Sequence, residues 1–427
     1  MSIIGNPVIV RKKPGVVYGF HIDSSESDPT AAVTYLEDAV GMTPAYMDFA
    51  NDTFVWGSWQ NAFFMPRPCM LKYDGTVDYY LSESNYAKKE DGVTNSAIAT
   101  DSYGGNAMME WGKDGKKIWY KIVPDVGDAT SASIYIADHQ ADADYHAWSF
   151  INSQGVMVDH FYTSIYSASI VTTNSVQRMR SLSGKRNLCL QKTCQQEQDL
   201  ARANTATMWD TLVYCDILLI NLLCVLISKT LDSQAAFGKG LVDSGTQQIN
   251  NNFTSGVHNA KGLFYGKSIG TASNTSTAIK IFGMENYWGF LWHRFAGLNN
   301  VEGTIKYKLT RGTQDGSTAS DYVISTTASD YNGYLTAGAV PSVSGAYVKK
   351  NTYNGNMFYP SADGATDSTY YTDGIWTTNA QTNYGSFGGA CTAAGYGGIF
   401  ACSYNSLATN NNWARGTRIS CKPLAPT

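Results

Sequence analysis

The chain has 427 residues, 43% of them apolar and only 15% charged, with a formal net charge of −4 at pH 7. That apolar share, with 13% aromatics, argues against a disordered chain, and the charged share falls well below the roughly 25% of ordinary soluble domains. Nucleic-acid binding is not expected, because the densest basic run (Arg178, Arg180, Lys185, Arg186 and Lys192) is too broken by polar residues to track phosphates.

Taken in chain order, the opening places Arg11, Lys12 and Lys13 after a short apolar stretch, the reverse of a secretory leader, so no signal peptide is expected. Residues 16–20 read as a strand, followed by an acidic, Ser-rich loop over 23–28. Residues 72–80 have the form of a hairpin, with Asp74-Gly75 supplying the turn. Further strand patterns follow at 108–111, 117–122, 133–136, 145–151 and 156–164. One long helical pattern runs over roughly 195–230. Its apolar stretch, 211–227, is at the short edge for a membrane span and carries Asp216 and Asn221, so it predicts a buried helix and no membrane insertion. A second, short helix is expected over 285–295, with Trp288, Trp292 and Phe295 on one face.

Residues 328–427 are different in character, with 10 Asn, 10 Tyr and 13 Gly against 9 charged residues. Short β pieces at 357–359, 398–401 and 417–421 are separated by long polar loops, and loops of that length inside a folded domain are usually functional or disordered.

Little in the chain points to a chemical step. Eight cysteines show no CxxC spacing; Cys391, Cys402 and Cys421 could bridge in an oxidising medium, but free thiols are expected. Asp142, Asp144 and His146 would share one face of an extended segment near His139, yet a polar turn explains them equally well. The late acids Asp363, Asp367 and Asp373 carry no calcium signature, and there is no G-x-S-x-G. No metal, cofactor or enzymatic activity is expected.

Five segments carry a resemblance. They are Val17-Tyr18-Gly19-Phe20-His21-Ile22-Asp23, the hairpin at 72–81, residues 233–240, Phe282-Gly283-Met284-Glu285-Asn286-Tyr287-Trp288-Gly289-Phe290-Leu291-Trp292 with Gly297-Leu298-Asn299, and Arg415-Gly416-Thr417-Arg418-Ile419. Together they resemble tailed-phage and prophage structural proteins that end in a C-type-lectin-like fold. The resemblance implies an α+β, β-rich chain with a small β-rich attachment or assembly domain at 1–100. A lectin-like domain would follow at 101–427, with one long buried helix and extended C-terminal loops. It implies a virion location, binding to a host-surface protein or glycan, contact with other virion proteins, and a homotrimer. In some relatives the late region is diversified by a retroelement, and here it would span about 353–413.

Tyr and Trp give broad contact at low entropy cost, and Asn, Ser and Gly give adaptable hydrogen bonds. On that ground the candidate ligand-binding residues are Tyr359, Tyr370, Tyr371, Trp376, Asn379, Asn383, Tyr384, Tyr396, Tyr404, Asn405, Asn410, Asn411, Asn412 and Trp413. The alternatives are an architectural tail or baseplate subunit whose late loops pack against neighbours, and, third, a formylglycine-type or carbohydrate-active enzyme.

Overall fold

The computed structural model describes residues 15–424 apart from 187, 189, 206–207, 243–252, 271–274 and 310–333. The expectations for Arg11, Lys12, Lys13 and Cys189 lie outside these residues. The fold is α+β and strand-rich, with three larger sheets around a short set of helices.

Alternating apolar residues build the first sheet. In Asp128–Ala137 the side chains of Ala132, Ile134 and Ile136 turn inward, as do Tyr120 and Ile122 of Trp119–Asp125. These strands lie beside Val17–Ile22 and Val33–Glu37 in a four-stranded sheet. The expected Asp-Gly turn forms between Arg67–Lys72 and Val77–Ser82, with the Gly75 N–H donating to the Lys72 carbonyl at 3.0 Å. That hairpin joins a seven-stranded sheet through Gly105–Trp111. Strands from either side of residue 100 therefore share two sheets. One apolar core runs from Phe20 to Tyr404, so the boundary expected at residue 100 falls inside shared structure.

Helix α1 (Cys194–Arg202) opens with a reciprocal capping box between Thr193 and Gln196. It does not run on into the apolar helix as the sequence pattern suggests. Trp209–Thr211 is instead a strand at the edge of the seven-stranded sheet, paired with Ile419–Cys421. Helix α2 (Tyr214–Ser228) follows, with every residue buried, and α3 (Ser233–Phe237) lies against it. Asp216 and Asn221 of α2 both find partners. Asp216 pairs with Lys422 at 2.9 Å, while Asn221 donates to the Ile399 carbonyl at 2.6 Å and accepts from the Tyr287 hydroxyl at 3.0 Å. Among the described residues no helix is long and apolar enough to cross a membrane.

The helix expected over 285–295 is absent. Left-handed backbone at Asn286 and Gly289 breaks it, and the chain makes a short hairpin (Lys280–Ile281 with Met284–Glu285), then the strand Trp292–Val301. Trp288 and Phe295 enter the main core, whereas Trp292 joins a separate small cluster.

That strand belongs to the third and largest sheet. Its order is Leu335–Ala339, Thr304–Tyr307, Trp292–Val301, Thr382–Gly388, Gly398–Ser406, Gly374–Thr377, Ser344–Tyr353 and Phe358–Asp363. Arg415–Thr417 adds a parallel strand beside Trp292–Val301. Helix α2 rests against Trp292–Val301 and Gly398–Ser406, so the apolar helix supports the strands that carry the late loops.

Candidate ligand-binding face

The late region is a sheet with two unlike faces. Along Gly398–Ser406, Phe400, Cys402 and Tyr404 point into the main core beside Ile375. The alternate residue Ala401 packs with Trp292, Ala390 and Trp376 on the other face, to which period-two alternation also assigns Ser403 and Asn405.

On that outer face four aromatic rings form a continuous row. Tyr347 stacks on Tyr396 with centroids 4.3 Å apart and planes 21° from parallel. Tyr396 meets Trp376 edge-on at 5.1 Å, and Trp376 meets Trp292 edge-on at 5.1 Å. Such offset and edge-on arrangements match the ring quadrupoles. Gly374 makes the row possible, because a Cβ there would lie 2.6 Å from both the Trp376 ring and the Tyr396 Cβ. Trp376, Tyr396 and Tyr347 are half-buried and Trp292 is nearly covered, so the row is anchored at one end and open along its length. Burial, then the Asp367 carboxylate, pushes the Tyr347 phenol up to about 12, which keeps it neutral and able to donate.

An ionic cluster ties the strands of this sheet together. Arg415 donates to Ser386 Oγ at 2.9 Å and also to Ser406 Oγ, linking three strands through one guanidinium. Tyr384 lies between Arg294 and Arg415, with the two guanidinium carbons 5.3 and 5.6 Å from its ring centre. Glu197 of α1 stands 3.5 Å from Arg294 Nε, with neither side chain exposed. Burial pushes the Glu197 carboxyl up to about 7, against the opposing pull of Arg294 and Arg415.

Of the fourteen candidate residues, nine reach the surface: Tyr370, Trp376, Asn379, Tyr396, Asn405, Asn410, Asn411, Asn412 and Trp413. Only Trp376 and Tyr396 belong to the aromatic row. Asn410 and Asn412 spend their side-chain oxygens locally, accepting from the backbone N–H of Asn412 at 3.1 Å and of Ala414 at 3.0 Å. Trp413 packs against Leu188, Phe290 and their neighbours, and Tyr370 sits under Lys349.

The other five are corrections. Tyr359, Tyr371, Asn383, Tyr384 and Tyr404 are buried, from 7% exposed down to none, so they hold the loops together from inside. Tyr371 shares a 2.9 Å hydroxyl contact with Tyr353 and meets Phe400 edge-on. Asn383 closes a local pair with Gln381. Residue type marked these positions without saying that both faces of Thr382–Gly388 are covered or that the turn at Tyr371 is packed against the core. The expected helix concealed Trp292.

Other clusters weighed from sequence separate in space. Lys121 holds both Asp142 and Asp144, at 2.9 and 3.5 Å, while His146 stacks on Trp148. Asp373 is buried and accepts from the Phe400 N–H at 2.8 Å. The described cysteines are buried, and burial pushes the Cys402 thiol up, away from reactivity. Among the described residues no group of three His, Cys, Asp or Glu side chains is placed to hold a metal ion. Comparison with protein-family models and with curated proteins gives no match to this chain.

Proposed function

We propose that this chain is a non-catalytic virion protein of a tailed phage or prophage that binds a host-surface protein or glycan through the outer face of its late sheet. The observation that carries the reading is the row Tyr347–Tyr396–Trp376–Trp292, a rigid aromatic strip bordered by polar, amide-rich loops. Rigid aromatics beside adaptable hydrogen-bonding groups make a general recognition surface. The lectin-like element of the reading draws on the buried α2 against the largest sheet and on the loops that join its late strands. No chemical step belongs to it. A trimer suits it, because avidity strengthens weak single sites.

The reading limits which positions a retroelement could diversify. Asn379 and Asn411 are exposed and open to exchange, whereas Tyr371, Asn383 and Tyr404 are core and are not.

The test uses labelled protein on intact cells of candidate hosts, comparing the wild type with a Trp376→Ala, Tyr396→Ala variant of verified fold. Loss of cell binding in the variant supports the reading. Undiminished binding moves recognition to another face, and absence of binding to every cell type favours an architectural subunit.

A further inference from the structure

A concave site lies apart from the late face, and no residue of 335–424 lines it. It is a cavity of about 470 Å³, within the roughly 300–1,000 Å³ range of small-molecule sites. Trp56 and Phe63 form half-buried aromatic walls, and Gln60, Asn61, Glu83 and Lys113 stand at its polar rim.

The walls are fixed by packing. Trp56 meets Phe54 edge-on at 4.9 Å and Phe264 at 5.5 Å, and Phe63 stacks on Tyr18 at 5.9 Å, 9° from parallel. The intervening chain is held by successive turns, with Trp59 N–H donating to the Trp56 carbonyl, Ala62 to Trp59 and Met65 to Ala62. A pocket held this way loses little freedom when a ligand enters.

The polar groups at the rim are unspent. Among the described residues the side chains of Gln60, Asn61, Glu83, Lys113 and Asp114 make no hydrogen bond or ion pair, while Lys116 is engaged with Asp138 at 3.0 Å. With Lys116 so engaged, the rim still carries both signs of charge, from Glu83, Asp114 and Lys113. It offers donors and acceptors together, which suits a ligand whose every polar group is both.

We infer that this cavity binds a neutral saccharide unit. A sugar ring would lay its C–H face against Trp56 or Phe63 and turn its hydroxyls to the amides of Gln60 and Asn61 and the charges of Glu83 and Lys113.

The experiment is saturation-transfer NMR on the full chain with methyl β-glucoside, N-acetylglucosamine, galactose and maltose, each at about 10 mM, a level that detects millimolar dissociation constants. Ring-proton saturation is expected for at least one sugar. It should fall at least about fivefold in Gln60→Ala, Asn61→Ala, two exposed positions chosen because Trp56→Ala endangers folding. The same fall should appear when the Trp376→Ala protein is the parent, which separates this site from the late face. The inference is overturned by no saturation with any of the four sugars, by saturation that survives Gln60→Ala, Asn61→Ala, or by loss only in Trp376→Ala. Preferential binding of free glutamate or lysine would overturn it as well.

Discussion

The Asp216 carboxylate in α2 lies 2.9 Å from the Lys422 ammonium near the end of the chain, and neither side chain is exposed. This pair joins the central helix to the end of Ile419–Cys421, a strand inside the seven-stranded sheet. Removing one partner leaves the other charge buried alone, so Asp216→Ala should cost about 3–5 kcal/mol of stability. Replacing both with apolar residues, Asp216→Leu with Lys422→Met, should cost less than the sum of the single changes. Urea denaturation of the four proteins in a double-mutant cycle measures this, and strict additivity would contradict the pairing.

Glu197 makes stability depend on pH. Burial raises its folded-state pKa from 4.5 to about 7, so the folded protein holds this proton more tightly than the unfolded chain. Its favourable contribution is complete below about pH 4.5, declines as pH rises, and is gone above about pH 7. Glu197→Gln should therefore flatten the stability curve across that window, by an amount on the order of 3 kcal/mol. Chemical denaturation at several pH values within it checks the slope, and an unchanged slope would assign the pH dependence to other groups.

Buried and surface tyrosines of the late region should separate cleanly. Tyr371→Ala removes a core ring and should cost about 3–5 kcal/mol, whereas Tyr396→Ala, half-buried at the row's open side, should cost less than about half as much. Thermal melts of the two variants decide this. Similar losses would mean that the aromatic row is as structural as the core.

Gly374 offers a test that substitutes none of the four ring residues. Gly374→Ala inserts a Cβ 2.6 Å from the Trp376 ring and must displace it or Tyr396, with an expected cost of about 1–3 kcal/mol. Near-ultraviolet circular dichroism should report altered Trp and Tyr environments while the far-ultraviolet spectrum is retained.

What could be read in advance was what depends on local pattern. The Asp74-Gly75 hairpin, the strands around Ile122 and Ile134, and the fully buried apolar helix are all set by neighbours in sequence. The partner of Asp216 is 206 positions away (Lys422), and no spacing rule points to it. Trp288, Trp292 and Phe295 have helical spacing, but left-handed turns at Asn286 and Gly289 override it. In the late region residue type identified amphipathic side chains without saying which way each faces. Tyr396 and Tyr404 are alike in sequence and opposite in position, because pairing with neighbouring strands turns Tyr404 toward α2 and the core.

The measurement that bears most directly on the proposed binding role is the dissociation constant for host cells of the wild type and of the Trp376→Ala, Tyr396→Ala variant. Both proteins must first show the same cooperative unfolding. The aromatic row predicts at least about tenfold weaker binding by the variant, equivalent to about 1.4 kcal/mol. Equal dissociation constants would contradict recognition through this face.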